Sequence, residues 1–194
     1  MRIPNERHQE QDWRVPRYAR DFELEDVWAT EVTGTARQFP DFVALFRAFD
    51  GRDQGGLTGM LFRLRMKLGE WFGWDDETNR LPIPGCEETS VRDRLPPEDR
   101  APLTAADLEG GLAFRPVYVD ERESCAEISN STVHALLHLG WVPDGDEHRG
   151  HLAVYVKHRG WFGRAYMKAI APFRYWIVYP AMLRRLARDW ATRH

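Results

Sequence analysis

The last third of the chain constrains the fold more than any other part. It carries an apolar face with the i, i+4, i+7, i+11 spacing of an α-helix, formed by Tyr166, Ile170, Phe173 and Ile177. Residues 160–190 would therefore make a helix of about 45 Å, at about 1.5 Å per residue. A terminal helix of that length, following a run of strands, predicts a lid that lies across a curved sheet.

The rest of the sequence predicts that sheet and a pair of short helices. Alternating apolar residues predict five strands, at 21–33, 112–120, 124–129, 132–142 and 151–158. After the first strand, Pro40 opens a short helix, and residues 57–72 form the clearest amphipathic helix of the chain. This order of elements predicts an α+β fold with the helices on one face of an antiparallel sheet.

Composition predicts the domain boundaries. Residues 1–20 are polar and rich in Arg and Gln, which predicts an N-terminal arm, and residues 21–194 form a single domain. Residues 75–110 make a long, charged, Pro-rich passage of the kind that forms functional flaps or partly disordered loops. The chain holds eight Trp, six Tyr and ten Phe, and a core of such rings can enclose a cavity as readily as it can be filled.

Nothing in the sequence predicts secretion or a membrane span. Cys86 and Cys125 are its two cysteines, and the N-terminus has no apolar signal region. No apolar run reaches the roughly 18 residues of a membrane-spanning helix. We therefore expect a cytoplasmic protein with no transmembrane segment.

The charge of the chain is distributed unevenly. Residues 157–194 hold nine Lys or Arg against one Asp, a charge of +8, whereas residues 75–147 hold 17 Asp or Glu against six Arg, a charge of −11. The favoured interpretation is that the basic helix lies beside an acidic rim of the same molecule. The alternative is an anionic partner, and there we expect a lipid surface and no nucleic acid.

Two histidines four residues apart, His134 and His138, would make a metal pair on a helix. Their segment alternates as a strand does, however, and strand residues four apart are about 13 Å from each other, too far to share one zinc ion. Both lie on the side of the strand opposite its apolar residues. We expect solvent-exposed or interface histidines, with pocket-lining acid/base groups as the alternative, and no metal site.

The other reactive groups have ordinary structural explanations. Cys125 shares a strand face with Glu127, but a nucleophilic Cys needs a partner that the sequence does not place, so a small core residue is favoured. Arg164 is expected to pair with the acidic rim rather than with a ligand. The sequence has no nucleophile elbow, phosphate loop, zinc-binding helix motif or dinucleotide fingerprint, and we predict no cofactor.

A set of short motifs lies near the end of the chain, at His158, Gly163-Arg164, Tyr166 and Ala171-Pro172-Phe173. Together with LGEWFGW at 68–74 and RDRLP at 92–96, it resembles the DUF2867 family, an uncharacterised family of the START/Bet v 1-like (SRPBCC) superfamily. The resemblance covers roughly residues 21–190. The chain departs from the pattern at Arg174, where members of the family tend to carry His after the Pro-Phe pair.

This resemblance implies a helix-grip fold. In that fold a curved antiparallel sheet wraps around a long C-terminal helix and an apolar cavity, with a short helix pair after the first strand. It implies no activity, because the superfamily includes lipid and hormone carriers, polyketide cyclases and proteins without a known ligand. For His158, a hydrogen bond at the turn before the long helix is favoured over contact with a ligand.

We therefore predict a protein that binds a small apolar or amphipathic molecule between the sheet and the C-terminal helix. The candidate ligand-binding residues are Phe42, Trp71, Tyr118, Trp141, Tyr155, Tyr166, Phe173 and Ile177. Tyr166 would present its phenol to the polar end of the ligand, or else belong to the core.

Three alternatives stay open. One is an enzyme of cyclase or hydratase type that uses a Tyr, His or Glu of the pocket as its acid or base. Another is a module that binds anionic membranes through the basic helix, where Arg184, Arg185 and Arg188 cluster. A homodimer through an exposed aromatic residue such as Trp13 or Trp190 is the third.

Overall fold

The computed structural model describes residues 1–48, 89–103, 114–129 and 133–193. Within them, six strands form one antiparallel sheet in the order β1-β2-β6-β5-β4-β3. The strands are β1 (Arg2–Ile3), β2 (Glu23–Gly34), β3 (Arg115–Val119), β4 (Glu123–Ser129), β5 (Val133–Asp144) and β6 (Glu147–His158). The five strands that the sequence predicts correspond to β2–β6, so the α+β class and the antiparallel sheet are confirmed.

The helices of the described part lie on both sides of this sheet. They are α1 (Asn5–Gln9), α2 (Val15–Tyr18), α3 (Phe39–Arg47), α4 (Gly160–Phe173) and α5 (Tyr179–Ala191). The first helix of the predicted pair is α3, and the second, at 57–72, lies outside the described residues.

The predicted long C-terminal helix is confirmed, but it is not regular. A π-helical turn (Arg174–Val178) joins α4 to α5 without a break. This turn follows Pro172, which has no N–H to donate to the helix ladder. Because a π turn accommodates one additional residue, the face that packs on the sheet changes after Arg174. Among the helix residues whose burial the structure describes, the buried apolar side chains are Met167, Leu183, Leu186 and Trp190.

We call the side of the sheet that packs against the C-terminal helix and α3 the helix face. Near one end of the sheet, α3 and α5 enclose an apolar cluster of Trp28, Val32, Phe39, Phe42, Leu139, Trp141, Leu152, Leu183, Leu186 and Trp190. A smaller cluster lies under α4, formed by Val133, Ala135, Val154, Val156 and Met167. The strand residues of both clusters come from alternate positions of β2, β5 and β6, as a sheet face requires.

The opposite side, which we call the covered face, lies under residues 1–22 and 89–101. Residues 1–20, expected as a polar arm, pack on the sheet: β1 pairs with β2, and Trp13 and Val15 are buried. Val91 and Leu95 from the second segment complete this layer. The sheet is therefore enclosed on both sides.

The expectation that His134 and His138 face solvent is wrong. Both are in β5, as the alternation predicts, and both point away from its apolar residues. They are nevertheless completely buried, because the N-terminal layer covers that side of the sheet. Buried acidic residues of β4 accept hydrogen bonds from both, which offsets the cost of burying polar groups.

Candidate functional site

The helix face is filled at one end and half-open in its middle. In β5, every residue of 133–141 is buried apart from Leu137, which points toward the C-terminal helix. On β4 next to it, Ala126 and Ile128 are also half-buried. An interior strand residue that keeps contact with solvent has open space above it, since protein interiors are otherwise close-packed. We call these three residues, with Ile170 and Tyr179 of the helix above them, the helix-side cleft.

The strand register connects the cleft to a row of residues that crosses the sheet and becomes buried at Val154 and Asp26. Leu137 pairs with Ala126 on one side and with Val154 on the other, and Val154 pairs with Asp26 of β2. These four residues form a row across the strands. Because neighbouring strands are about 4.8 Å apart, the row is about 14 Å long from Ala126 to Asp26.

A charged group from the helix closes the Asp26 end of this row. The guanidinium of Arg174 donates through Nη2 to Asp26 Oδ2 at 2.7 Å and lies 3.5 Å from Glu25 Oε1. The indole N–H of Trp28 donates to the other Asp26 oxygen at 2.8 Å. Asp26 is fully buried, and the Arg174 side chain is 12% exposed.

Two tyrosines hold the guanidinium in place. The Arg174 Cζ lies 5.4 Å from the centroid of the Tyr175 ring and 5.9 Å from that of Tyr179. The π turn makes this geometry, because the wider turn brings Arg174 and Tyr179, five residues apart, to the same side of the helix. π turns of this kind occur often at functional sites.

The electrostatics of this cluster are unusual for a buried site. Burial raises the pKa of Asp26, although Arg174 and Trp28 act in the opposite direction. Burial also works against the charge of Arg174, yet Tyr179 and Asp26 leave its pKa raised, so the cation persists. Among the described residues, Arg174 Nε is buried with no hydrogen-bond partner. Its Nη1 faces the thioether sulfur of Met167 at 3.6 Å.

The covered face has a different character, because its buried carboxylates are saturated with hydrogen bonds. Glu123 accepts from the backbone N–H of Arg14 at 2.8 Å and from the hydroxyl of Tyr118 at 2.7 Å, and His138 Nε2 lies 2.9 Å from it. Glu127 is held in the same way, by the Ser90 hydroxyl, the Val91 N–H at 2.8 Å and His134 Nε2 at 3.1 Å. Each carboxylate thus ties one covering segment to the sheet.

The pKa values of this network follow from its bonding. Burial acts to raise the pKa of Glu123 and Glu127, but hydrogen bonds from His138 and His134, with the others, leave both lowered. Burial raises the pKa of the Cys125 thiol, and both carboxylates raise it further. Cys125 therefore stays a neutral thiol in the core, as expected, and is not an activated nucleophile.

Two further histidines on this face, His8 and His151, are buried and uncharged, as is His138. Burial lowers the pKa of His8 to about 2 and that of His151 to about 4, and it lowers the pKa of His138 as well. His8 Nε2 lies 2.9 Å from the Tyr155 hydroxyl, and its ring is 5.0 Å from that of His138. Within the described part of the chain, the Nδ1 atoms of all three have no hydrogen-bond partner.

The predicted ligand-binding residues are spread over the molecule rather than gathered. Phe42 and Trp141 pack against each other in the filled end of the helix face, with 5.3 Å between their ring centroids. Tyr118 and Tyr155 lie on the covered face. On the helix, Phe173 is half exposed and Ile177 is half-buried. Trp71 and the side chain of Tyr166 lie outside the described residues.

The Arg174–Asp26 pair is the part of the site that sequence reasoning missed. Its signal is present in the sequence, because Asp26 follows Leu24 and precedes Val27 and Trp28 in a strand, and Arg174 interrupts an apolar helix run. A charge at a core position of each of two packed elements indicates that the two charges meet. Their contact across 148 residues of sequence was not deducible from spacing alone.

The predicted contact of His158 with the turn before the long helix is replaced by another one. Its Nε2 lies 3.7 Å from Glu23 and 4.0 Å from Glu25. Arg159 instead secures the turn, by donating from Nη2 to the Ser129 hydroxyl at 2.6 Å. Gly160 then starts α4 with a φ of 65°, a conformation that glycine adopts without strain.

Fold and cleft together define a class: an antiparallel α+β protein whose long C-terminal helix crosses one face of the sheet above the helix-side cleft. The chain belongs to the family described as Protein of unknown function (DUF2867), whose model matches residues 18–181. The family resemblance is therefore confirmed. No curated protein and no solved structure matches the chain.

No helix in the described ranges is long and apolar enough to cross a membrane. No group of three or more His, Cys, Asp or Glu side chains among these residues is placed to hold a metal ion.

Proposed function

We propose that this protein has a helix-grip fold and binds a small apolar or amphipathic molecule in the helix-side cleft. The observation that carries the proposal is the half-buried state of Leu137 on an interior strand, beneath the C-terminal helix. We place the protein in the cytoplasm under this proposal, because it has only two cysteines.

The lining of the cleft supports an apolar ligand with one polar end. Ala126, Ile128, Leu137 and Ile170 contribute only carbon atoms, and Tyr179 adds a ring and a hydroxyl. Binding sites for small molecules typically combine a mostly apolar lining with a few placed polar groups. Here the polar groups are at one end of the row, at Arg174 and Asp26.

A bulky substitution in the wall of the cleft tests the proposal. N-phenylnaphthylamine, a neutral apolar dye whose fluorescence rises on leaving water, is titrated into wild-type protein and into Ala126→Phe. We expect the added ring to weaken dye binding about tenfold or more, because it occupies the space above β4. The matched control is Ala191→Phe at the exposed end of α5, which should bind the dye as wild type does. Equal binding by Ala126→Phe and wild type would refute the proposed site.

A second function, association with an anionic membrane, is favoured by a separate observation. Trp161 and Trp176 on the C-terminal helix are 81% and 79% exposed. Arg164 and Lys168 between them are also exposed. From residue 157 to residue 188 the sequence has no Asp or Glu. Exposed Trp combined with cations is typical of helices that lie in the headgroup region of a bilayer.

Liposome co-sedimentation tests this second function. We expect the protein to sediment with vesicles containing phosphatidylglycerol, not with pure phosphatidylcholine, and to be released by salt. Replacing Trp161 and Trp176 by Ala should abolish sedimentation without changing the unfolding midpoint. Sedimentation that does not depend on anionic lipid or on salt would eliminate membrane association.

A further inference from the structure

We propose that the polar end of the ligand is an uncharged oxygen acceptor, such as a ketone or ester carbonyl, that binds the Arg174 guanidinium at the Asp26 end of the cleft. This inference rests on the proposed function, since it assigns the chemistry of the ligand that the cleft would hold.

Two nitrogens of the guanidinium, Nε and Nη1, are available to bind a further acceptor. Its Nη2 already serves Asp26 and approaches Glu25, but in the described residues the buried Nε has no partner. Its Nη1 faces only a thioether sulfur, a weak acceptor, on Met167. A buried donor that lacks an acceptor is costly, and most such groups in proteins are satisfied by the protein, by water or by a ligand. A ligand oxygen would supply the missing acceptor.

The spare donors are on the cleft side of the ion pair. Met167 belongs to the apolar cluster with Val154, and Val154 is the neighbour of Leu137 in the cross-strand row. Val154 and Asp26 are themselves buried, so an apolar chain that enters above Ala126 and Leu137 reaches the guanidinium by displacing the Met167 side chain, which can change rotamer readily. The distance along the row from Ala126 to Asp26 is about 14 Å, three strand spacings.

The charges already present select an uncharged acceptor over a carboxylate. Asp26 at 2.7 Å and Glu25 at 3.5 Å already provide two carboxylates for one guanidinium. The raised pKa of Asp26 shows that burial there disfavours negative charge. An additional anion would be buried without a countercharge, whereas a carbonyl oxygen accepts the hydrogen bond and adds no charge.

The rings of Tyr175 and Tyr179 give the arrangement its specificity for arginine. They flank a planar guanidinium that makes several directed hydrogen bonds at once. A lysine at this position would keep the charge opposite Asp26 but would have neither Nε in the same place nor the planar fork. Arg174→Lys therefore separates the pairing role of Arg174 from its ligand-binding role.

Three probes with chains of similar length test the inference by competition with N-phenylnaphthylamine: methyl nonyl ketone, undecene and undecanoate. For wild-type protein we expect the ketone to displace the dye at about one tenth of the concentration that undecene requires, the effect of one good hydrogen bond to a buried charge. Undecanoate should be the weakest of the three. Equal potency of ketone and undecene, or stronger binding of undecanoate, would overturn the inference.

Variants at Arg174 then test whether this residue causes the preference for the ketone. In Arg174→Lys the ketone should lose its advantage over undecene while dye affinity stays within about twofold of wild type. If that variant does not fold, the double change Arg174→Gln with Asp26→Asn removes both charges together and serves the same purpose. If the dye does not bind even to wild type, the proposed function fails. If the dye binds but the ketone preference survives Arg174→Lys, only this inference fails.

Discussion

The two faces of the sheet are buried by different means. On the covered face, Glu123 and Glu127 are each saturated by three donors, and the covering segments are tied down through them. On the helix face the contacts are mostly apolar apart from the Arg174–Asp26 pair, and an interior residue, Leu137, stays half-buried. Among the described residues both faces hold unpartnered nitrogens, the histidine Nδ1 atoms on the covered face and Arg174 Nε on the helix face, so the difference between the faces is the open space beside Leu137.

The contrast shows that polarity of a strand face does not by itself indicate exposure. His134, His138, Glu123 and Glu127 would place one side of β4 and β5 in water if alternation were the only guide. They are buried because they are one another's hydrogen-bond partners across the two strands. A polar face that satisfies itself can take a second layer, at a small cost in desolvation.

Removing one buried carboxylate tests whether the stability of the covered face depends on these groups. Glu123→Ala leaves the Tyr118 hydroxyl, His138 and the Arg14 N–H without their acceptor in a buried site. We expect a loss of about 3–5 kcal/mol in the free energy of unfolding, measured by urea denaturation. Glu121→Ala, two residues away and exposed, should change it by less than about 0.5 kcal/mol. A small effect at Glu123 would mean that the network is not what holds the layer.

Acid should destabilise the protein through the buried histidines of the covered face. Folding lowers the pKa of His8 to about 2 and of His151 to about 4, from 6.5. Below pH 6.5 the unfolded state therefore binds protons that the folded state does not, so stability is full above 6.5 and falls as the pH falls. Each group contributes about 1.4 kcal/mol per pH unit in that range. The free energy of unfolding from urea denaturation at pH 7.5 and 5.5 should show a loss of about 3 kcal/mol from these two groups, and His138, whose pKa burial also lowers, acts in the same direction.

A single substitution makes this pH prediction specific to the covered face. His8→Phe keeps a ring beside Trp13 but removes one titrating group, so the loss between pH 7.5 and 5.5 should fall by about 1.4 kcal/mol. His148→Phe, at a half-buried position of the β6 hairpin end, should leave the loss unchanged. Measurement above pH 5 keeps the result free of the carboxylates. An unchanged pH dependence in His8→Phe would contradict the assignment.

Each face of the sheet has one glycine that an aromatic ring approaches too closely for a Cβ atom. A Cβ at Gly140 would lie 2.8 Å from the Trp13 ring on the covered face, and one at Gly150 would lie 2.6 Å from the Phe42 ring on the helix face. Both rings are fixed in the core, so Gly140→Ala and Gly150→Ala should each cost about 1–3 kcal/mol by overpacking. Thermal unfolding measures both, and the exposed Ala169→Gly serves as a reference for backbone propensity. A neutral result at Gly150 would show that the Phe42 end is not filled.

The sequence predicted the architecture because periodicity reports on local structure. The strands β2–β6, the helix after Pro40 and the long terminal helix all have the apolar spacing of their element. The π turn was not predictable, since nothing in the spacing of Phe173 and Ile177 signals an additional residue in the turn. The difference from the predicted face begins before that turn, where Met167 is buried and Phe173 is 50% exposed.

The candidate site was harder to predict, because it depends on contacts distant in sequence. The aromatic content of the chain predicts ligand-binding candidates. Rings such as Phe42 and Trp141 also fill cores, however, and composition does not separate the two uses. The covering layer was missed for a similar reason. Residues 1–20 are mostly polar, and only a few side chains, such as Trp13 and Val15, anchor them.

Enlarging one alanine on each face distinguishes the packing of the two faces most sharply, although the expected change in stability is small. Ala126→Leu adds volume in the cleft, where the alanine is half-buried, so we expect the free energy of unfolding to change by less than about 0.5 kcal/mol. The same substitution at Ala153, which is fully buried on the covered face, should cost about 1–3 kcal/mol, because no space is left there. Urea denaturation of both variants gives the comparison directly. Equal costs at the two positions would mean that the helix face is as closely packed as the covered one, and the cleft would lose its physical basis.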